Sequence, residues 1–213
     1  MGNSERAFRV RVCRLSSGER LPLVVDRSGV PVPQANRWAI LLRRPKVQEN
    51  SLVDEMRTIA HIHEWAARRL IDLDSRLATG NGFGSLEIDA LYQNLRYRRP
   101  DGRQVAHTDI LDELSLKVVA PNTHGTRVAV ARDYLIWGLE QTLYSLDVTD
   151  ERISAIRERC ELIRRSSIEF KRPGVRTTPP NQGLQRQLPQ ELIEISHPES
   201  ALNPFSKRVR FRN

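Results

Sequence analysis

Residues 50–72 of the chain read NSLVDEMRTIAHIHEWAARRLID, and this stretch decides the fold class. Its apolar residues recur at steps of three and four positions, which is the spacing of one face of an α-helix. The stretch therefore predicts a long amphipathic helix that ends near Asp72. The polar residues predicted to share its solvent-facing side are Asp54, Arg57, His61, Glu64 and Arg68.

Three later segments carry the same helical spacing, at residues 86–97, 127–146 and 151–171. Four amphipathic helices of this kind can close around one core. We therefore expect a mainly α-helical domain over residues 49–172. The inner face of the third helix is predicted to be built by Val128, Ala131, Leu135, Gly138, Leu139, Thr142 and Leu146. That of the fourth is predicted to be built by Ile153, Ile156, Cys160, Ile163 and Phe170.

A polar segment, residues 98–125, separates the second of these helices from the third. It contains Pro100, Gly102, Pro121 and Gly125, and residues of these two types interrupt regular structure. The segment predicts a long connection with one short helix at residues 110–118.

The N-terminal part of the chain has a different pattern. Residues 7–26 alternate apolar and polar positions around a Gly-containing turn, which is typical of a β-hairpin. Pro31 and Pro33 follow, before a short apolar run that begins at Trp38. Because Pro cannot donate to a central β-ladder, residues 1–48 are predicted to form a small β-rich module of limited stability.

The charge of the chain favours a polyanionic partner. There are 34 Lys and Arg against 26 Asp and Glu, a net charge of +8. Arginine supplies most of the excess, and its planar fork suits phosphate oxygens. Double-stranded DNA is therefore the expected partner, and a merely solvated basic surface is the alternative.

The candidate DNA contacts come from the predicted helices. Arg157, Arg164 and Lys171 recur at seven-residue steps, so they line one flank of the last helix, with Arg165 and Arg172 beside them. Such a row suits phosphates, although a charged helix face can be simply solvated. The first helix offers a weaker row, interrupted by an acidic residue and formed by Arg57, His61 and Arg68.

The motifs of other site classes are incomplete. His61 and His63 lie two apart on a helix and so point to nearly opposite sides, which prevents them from sharing an ion. The glycine-rich turn at residues 80–84 is not followed by the Gly-Lys-Ser/Thr of a phosphate loop. We expect no metal, no cofactor and no small-molecule substrate. Cys13 and Cys160 are predicted to be reduced residues of the core.

No apolar run is long enough for a signal peptide or a membrane span. We therefore expect a cytoplasmic, nucleoid-associated protein with no membrane partner.

Three stretches resemble the N-terminal half of a tyrosine recombinase, the phage-integrase class of site-specific integrases. Residues 50–73, which end in Leu-Ile-Asp-Leu, are similar to the first core-binding helix of that family. Residues 127–137, which end in Tyr-Leu-Ile-Trp, are similar to the helix that family members place third. Residues 197–213 resemble the entrance to the catalytic domain. The resemblance covers residues 36–213.

The resemblance implies a four-helix SAM-like core-binding domain that clamps duplex DNA, with other protomers on the DNA as further partners. It also implies a linker at residues 173–190 and, at residues 191–213, the start of a truncated catalytic domain. The family's catalytic arginines, lysine and tyrosine nucleophile lie after the linker, so no residue of this chain is assigned a catalytic role. The helical pattern that opens at Asn203 has no Gly or Pro to end it, and we expect the chain to continue into that domain.

Two alternatives of other classes remain open. The chain could be a stand-alone DNA-binding regulatory module, or a helical protein–protein interaction domain whose basic charge binds an acidic partner. Salt-dependent duplex binding separates the last alternative from the other two.

Overall fold

A computed structural model describes residues 7–99 and 117–170 of the chain. This part of the protein is mainly helical, with a two-stranded antiparallel hairpin at its N-terminal end, so the predicted fold class is confirmed at that level. The described residues all belong to one compact unit. The elements in order are β1 (Phe8–Arg14), β2 (Arg20–Asp26), α1 (Pro33–Trp38), a π-helical turn (Ala39–Arg43), α2 (Glu49–Arg68), α3 (Leu73–Thr79), α4 (Ser85–Asn94), α5 (Pro121–Ser145) and α6 (Arg152–Glu169).

The hairpin packs on the helices and shares their core. β1 and β2 pair in a register that places Val10 opposite Val24, and Val24 is completely buried. The side chain of Asn36 in α1 accepts a hydrogen bond from the Val24 N–H at 2.8 Å and donates one to the Val24 carbonyl at 3.0 Å. The Val24 carbonyl also accepts a hydrogen bond from the Val32 N–H at 2.9 Å, so the backbone groups of Val24 are satisfied by α1 and by the residue that precedes it. The apolar run that begins at Trp38 is helical, and the Trp38 side chain is fully buried.

The central element is α2, which contacts both strands of the hairpin and the helices α3, α4 and α5. With neighbours on several sides, its second half is buried around most of its circumference. The predicted solvent-facing side is therefore wrong for His61, which is only 4% exposed. The helix ends at Arg68, about one turn before the predicted end near Asp72.

A short helix that the sequence analysis did not predict, α3, follows α2. The Asp72 carboxylate accepts a hydrogen bond from the Ser75 N–H at 3.0 Å and so caps its first turn. Gly80 ends it with a φ of +77°, a left-handed conformation that favours glycine. Leu77 of α3 packs against Gly138 of α5, where a Cβ would lie 2.8 Å from the Leu77 Cδ1. The absence of a side chain at Gly138 therefore lets α3 and α5 approach closely.

The helix α5 begins at Pro121, and the predicted start near Arg127 is wrong. A proline in the first turn costs nothing, because its missing N–H would have no partner inside the helix. The predicted helix at residues 110–118 falls almost entirely outside the described residues; Val118 forms an isolated bridge with Tyr97.

The predicted inner faces of α5 and α6 are confirmed for most of their residues, and Cys160 is buried as expected. Leu146, Ile153 and Phe170 are only partly buried. Cys13 is exposed, so its assignment to the core is wrong. It lies in the second half of β1, which projects beyond the helical layer and is solvent-accessible on both faces.

Candidate nucleic-acid interface

Arg157 and Arg164 lie on one flank of α6, as their spacing predicts, and both line a groove of about 510 Å³ between α6 and the end of α5. Arg157 makes no ion pair with any described residue. Arg164, in contrast, lies 3.4 Å from Glu140 and 3.7 Å from Glu161. Among the described residues, Arg157 therefore has no carboxylate partner, whereas Arg164 has two. This flank of α6 offers fewer open cations to phosphates than its sequence indicates.

The neighbouring cations add little to this flank. Arg165 also pairs with Glu161, at 3.2 Å, so one carboxylate serves two arginines. Lys171 and Arg172 lie outside the described residues.

The groove beside Arg157 has an apolar lining. Tyr144 and Val148 are 80% and 90% exposed there, with Leu143 and Ile153 partly buried around them. Large apolar side chains with this exposure are typical of a contact surface rather than of plain solvation.

The polar row predicted on α2 is compensated as well. Arg57 lies 2.7 Å from Asp54, and Arg68 lies 3.6 Å from Glu64. Across the helix, four acidic residues stand against these two arginines, so α2 has a net negative charge. Together with the burial of His61, this makes the exposed side of α2 a poor candidate for the main phosphate-binding surface.

The basic charge is concentrated in the N-terminal segment. Residues 1–48 contain ten Lys and Arg against three Asp and Glu, a net charge of +7. The remaining residues contain 24 basic against 23 acidic side chains, a net charge of +1. The helical spacing of the sequence does not indicate this asymmetry, whereas a count of charges by segment does.

The hairpin and the segment after it present this charge to solvent. Five exposed cations of this region make no ion pair with another described residue: Arg11, Arg14, Arg27, Arg37 and Lys46. Strand alternation sends the side chains of Arg9 and Arg11 to the face opposite that of Val10 and Val12. The basic hairpin surface is defined by Arg11, Arg14, Arg27, Arg37 and Lys46, and it has the excess of open cations that a polyanion requires.

The buried titratable groups indicate packing rather than catalysis. His63 Nε2 and Tyr134 Oη lie 3.0 Å apart, and burial lowers the pKa of His63 to about 4. Burial also raises the pKa of the Tyr92 and Tyr134 phenols, which therefore stay protonated at neutral pH. Within residues 7–99 and 117–170, no three His, Cys, Asp or Glu side chains are grouped so that they could hold a metal ion.

No protein-family model, no functionally characterised protein and no solved structure matches the chain. None of the helices in the described part is long and apolar enough to cross a bilayer. The function is therefore inferred from the site and from the resemblance of the sequence patterns.

Proposed function

We propose that the chain is the DNA-binding N-terminal part of a site-specific tyrosine recombinase, in which residues 49–172 are a SAM-like core-binding domain. Strand exchange would be carried out by a catalytic domain beyond the linker at residues 173–190. The observation that carries the DNA-binding part is the net charge of +7 in residues 1–48, together with its exposed and unpaired arginines.

The mechanism of binding follows from that charge. Guanidinium groups on the basic hairpin surface displace the counterions that DNA phosphates hold, and the released ions drive association. Arg157 on α6 can add a further phosphate contact, because no described carboxylate neutralises it. Such contacts position a protein on DNA and carry no sequence information themselves. Binding by these residues is therefore expected to be largely independent of sequence.

The recombinase class rests on the resemblance of residues 50–73 and 127–137. The first of these stretches covers α2 except for its first residue, and the second lies inside α5. A helical bundle behind an N-terminal module agrees with that resemblance.

The test is a salt titration of duplex binding by the full chain, measured by fluorescence anisotropy with a random-sequence duplex. We expect the logarithm of the affinity to fall linearly with the logarithm of the salt concentration, with a slope that reports several phosphate contacts. An affinity that does not change with salt would contradict DNA binding. A companion assay on supercoiled plasmid is expected to show neither nicking nor a covalent adduct, because the residues implied for catalysis lie beyond the linker.

One observation favours a second function, a helical protein–protein interaction domain. The groove between α5 and α6 exposes Tyr144 and Val148 next to Arg157, which is a mixed apolar and cationic surface. Replacing Tyr144 by Ser separates the two functions: duplex affinity should be unchanged if only cations bind DNA, whereas binding of a protein partner through this groove would be lost.

A further inference from the structure

A second groove, of about 800 Å³, lies between α2 and the first turns of α5. Its lining combines hydroxyl and guanidinium groups with two carboxylates, those of Asp54 and Glu55. The lining residues that matter here are Arg57, His61, Arg99, Thr123, Thr126 and Arg127.

Arg127 is a partly buried cation without a carboxylate partner among the described residues. Its Nη1 donates hydrogen bonds to the carbonyls of Leu95 at 3.1 Å and Tyr97 at 2.8 Å, which fix the plane of the guanidinium group. Its Nε and Nη2 make no hydrogen bond with a described residue. Burial, and then the nearby charge of Arg98, lower its pKa. Arg127 is only partly buried, and partial burial of a cation without a counter-ion has a free-energy cost that an anion in the groove would reduce.

The first turn of α5 is an independent source of positive potential at the same place. The residue before it, Ala120, has no side chain that could accept a hydrogen bond, and the turn contains no acidic residue. The first N–H groups of a helix lack partners within it and carry partial positive charge. Because Pro121 has no N–H and the His124 N–H donates to the Ala120 carbonyl at 3.0 Å, the open groups here are the N–H groups of Asn122 and Thr123. Thr123 and Thr126 line the groove from this end of α5, so the helix terminus and Arg127 are adjacent.

The other charged side chains that line the groove form ion pairs with each other or with neighbouring residues. Arg99 lies 3.0 Å from Glu64, and Arg57 lies 2.7 Å from Asp54. Glu55 accepts a hydrogen bond from the Arg43 Nε at 2.8 Å. Arg127 and the α5 terminus are therefore left as the uncompensated positive groups.

His61 adds no positive charge to this groove. Burial and the charges of Arg127, Arg99 and Arg68 lower the pKa of its imidazole to about 3. The side chain is neutral at physiological pH, so it lines the groove as a hydrogen-bonding group.

We propose that this groove is an anion site and that its ligand is a phosphate group held by Arg127, Thr123 and the N-terminus of α5. The open Nε and Nη2 edge of Arg127 matches two phosphate oxygens, which is the bidentate geometry that guanidinium groups favour. The phosphate could belong to a DNA backbone or to a small phosphorylated compound. The proposal does not depend on duplex binding by the basic hairpin surface.

The test uses the full chain and inorganic pyrophosphate, with binding measured by isothermal titration calorimetry at constant ionic strength. We expect Arg127→Gln and Thr123→Glu each to weaken pyrophosphate binding about tenfold or more, since each removes or repels a charge-assisted contact. The matched control is Arg132→Gln on the same helix, whose guanidinium lies 2.7 Å from Asp133 and does not line the groove; it should bind like the parent.

The Thr123→Glu variant guards against a trivial loss of folding. Thr123 is exposed, and a carboxylate in the first turn of a helix is stabilising, so thermal stability should be unchanged or higher. The contacts of Arg127 with Leu95 and Tyr97 are kept in this variant. No binding of pyrophosphate by the parent, or equal binding by Thr123→Glu, would overturn the proposal.

A competition experiment identifies the source of the phosphate. If a short duplex displaces pyrophosphate, and Thr123→Glu weakens duplex binding, the site holds a backbone phosphate. If pyrophosphate stays bound at saturating duplex, the site takes a free phosphorylated compound. Both outcomes support the anion site, and a chain that binds pyrophosphate but no DNA would contradict only the proposed function.

Discussion

The carboxylate of Glu64 accepts a hydrogen bond from the backbone N–H of Phe8 at 3.3 Å, although the two residues are 56 positions apart. Glu64 also pairs with Arg99 at 3.0 Å, and both side chains are 12% exposed. Arg99 in turn donates to the carbonyl of Phe8. One buried carboxylate on α2 therefore holds the first residue of the hairpin and the segment that follows α4.

Replacing Glu64 by Gln should destabilise the protein by about 2–3 kcal/mol, because a neutral amide weakens the charge-assisted hydrogen bonds that the carboxylate accepts from Arg99 and from the Phe8 N–H. The free energy of unfolding in urea is the measurement. Asp54→Asn is the matched control on the same helix, since its pair with Arg57 is exposed and contributes little. Equal effects of the two substitutions would contradict a structural role of the Phe8–Glu64 contact.

The two buried histidines predict a loss of stability in mild acid. The pKa of His61 is lowered from 6.5 to about 3 and that of His63 from 6.5 to about 4, so the folded state binds fewer protons than the unfolded state. The stabilisation by the neutral imidazoles is complete above pH 6.5 and declines as the pH falls toward these values, by up to about 1.4 kcal/mol per pH unit and histidine.

The measurement is the urea midpoint between pH 7 and pH 5, a window above the titration of most carboxylates. We expect a marked fall for the parent and a flatter profile for His61→Asn combined with His63→Asn. A parent midpoint that is constant over this window would show that the imidazoles are not held neutral.

At two glycines of α5, replacement by Ala is expected to have opposite effects on the stability of the protein. Gly138→Ala should destabilise by about 1–3 kcal/mol, because the new Cβ would lie 2.8 Å from the Leu77 Cδ1 and Leu77 is fully buried. Gly125→Ala should instead stabilise by up to about 1 kcal/mol, since nothing lies within 4 Å of a Cβ there. Thermal melting of both variants tests this, and a neutral Gly138→Ala would contradict the close approach of α3 and α5.

The long helices could be predicted from the sequence because their cores follow a single period. Val128, Leu135 and Leu139 recur at helical steps, and all of them are buried. The short helix α3 contains seven residues, too few for a period to stand out, although its Asp72 cap and Gly80 terminus are local signals. The start of α5 at Pro121 could not be predicted either, because proline both ends and begins helices.

The burial of His61 could not be predicted in this way. A helical period identifies one apolar stripe and assigns the remaining positions to solvent. Which other sides of α2 are covered depends on where the hairpin and α4 pack, and this is a tertiary relationship that is absent from the local pattern. The proposed anion site between α2 and α5 is likewise lined by residues that lie far apart in sequence, such as Arg57 and Arg127.

The last prediction concerns which cations bind duplex DNA. Replacing Arg11, Arg14 and Arg27 together by Gln should weaken duplex binding for all sequences and reduce the salt slope by about one unit per lost phosphate contact. These side chains are exposed and make no ion pair with a described residue, so the melting temperature should hardly change.

The matched control set is Arg57, Arg164 and Arg165. These three arginines already pair with Asp54, Glu140 or Glu161, so replacing them by Gln should cost less affinity. Affinity and salt slope for both triple variants are measured with the same duplex. If the second set loses binding while the first does not, phosphates are bound by the helical flanks rather than by the basic hairpin surface.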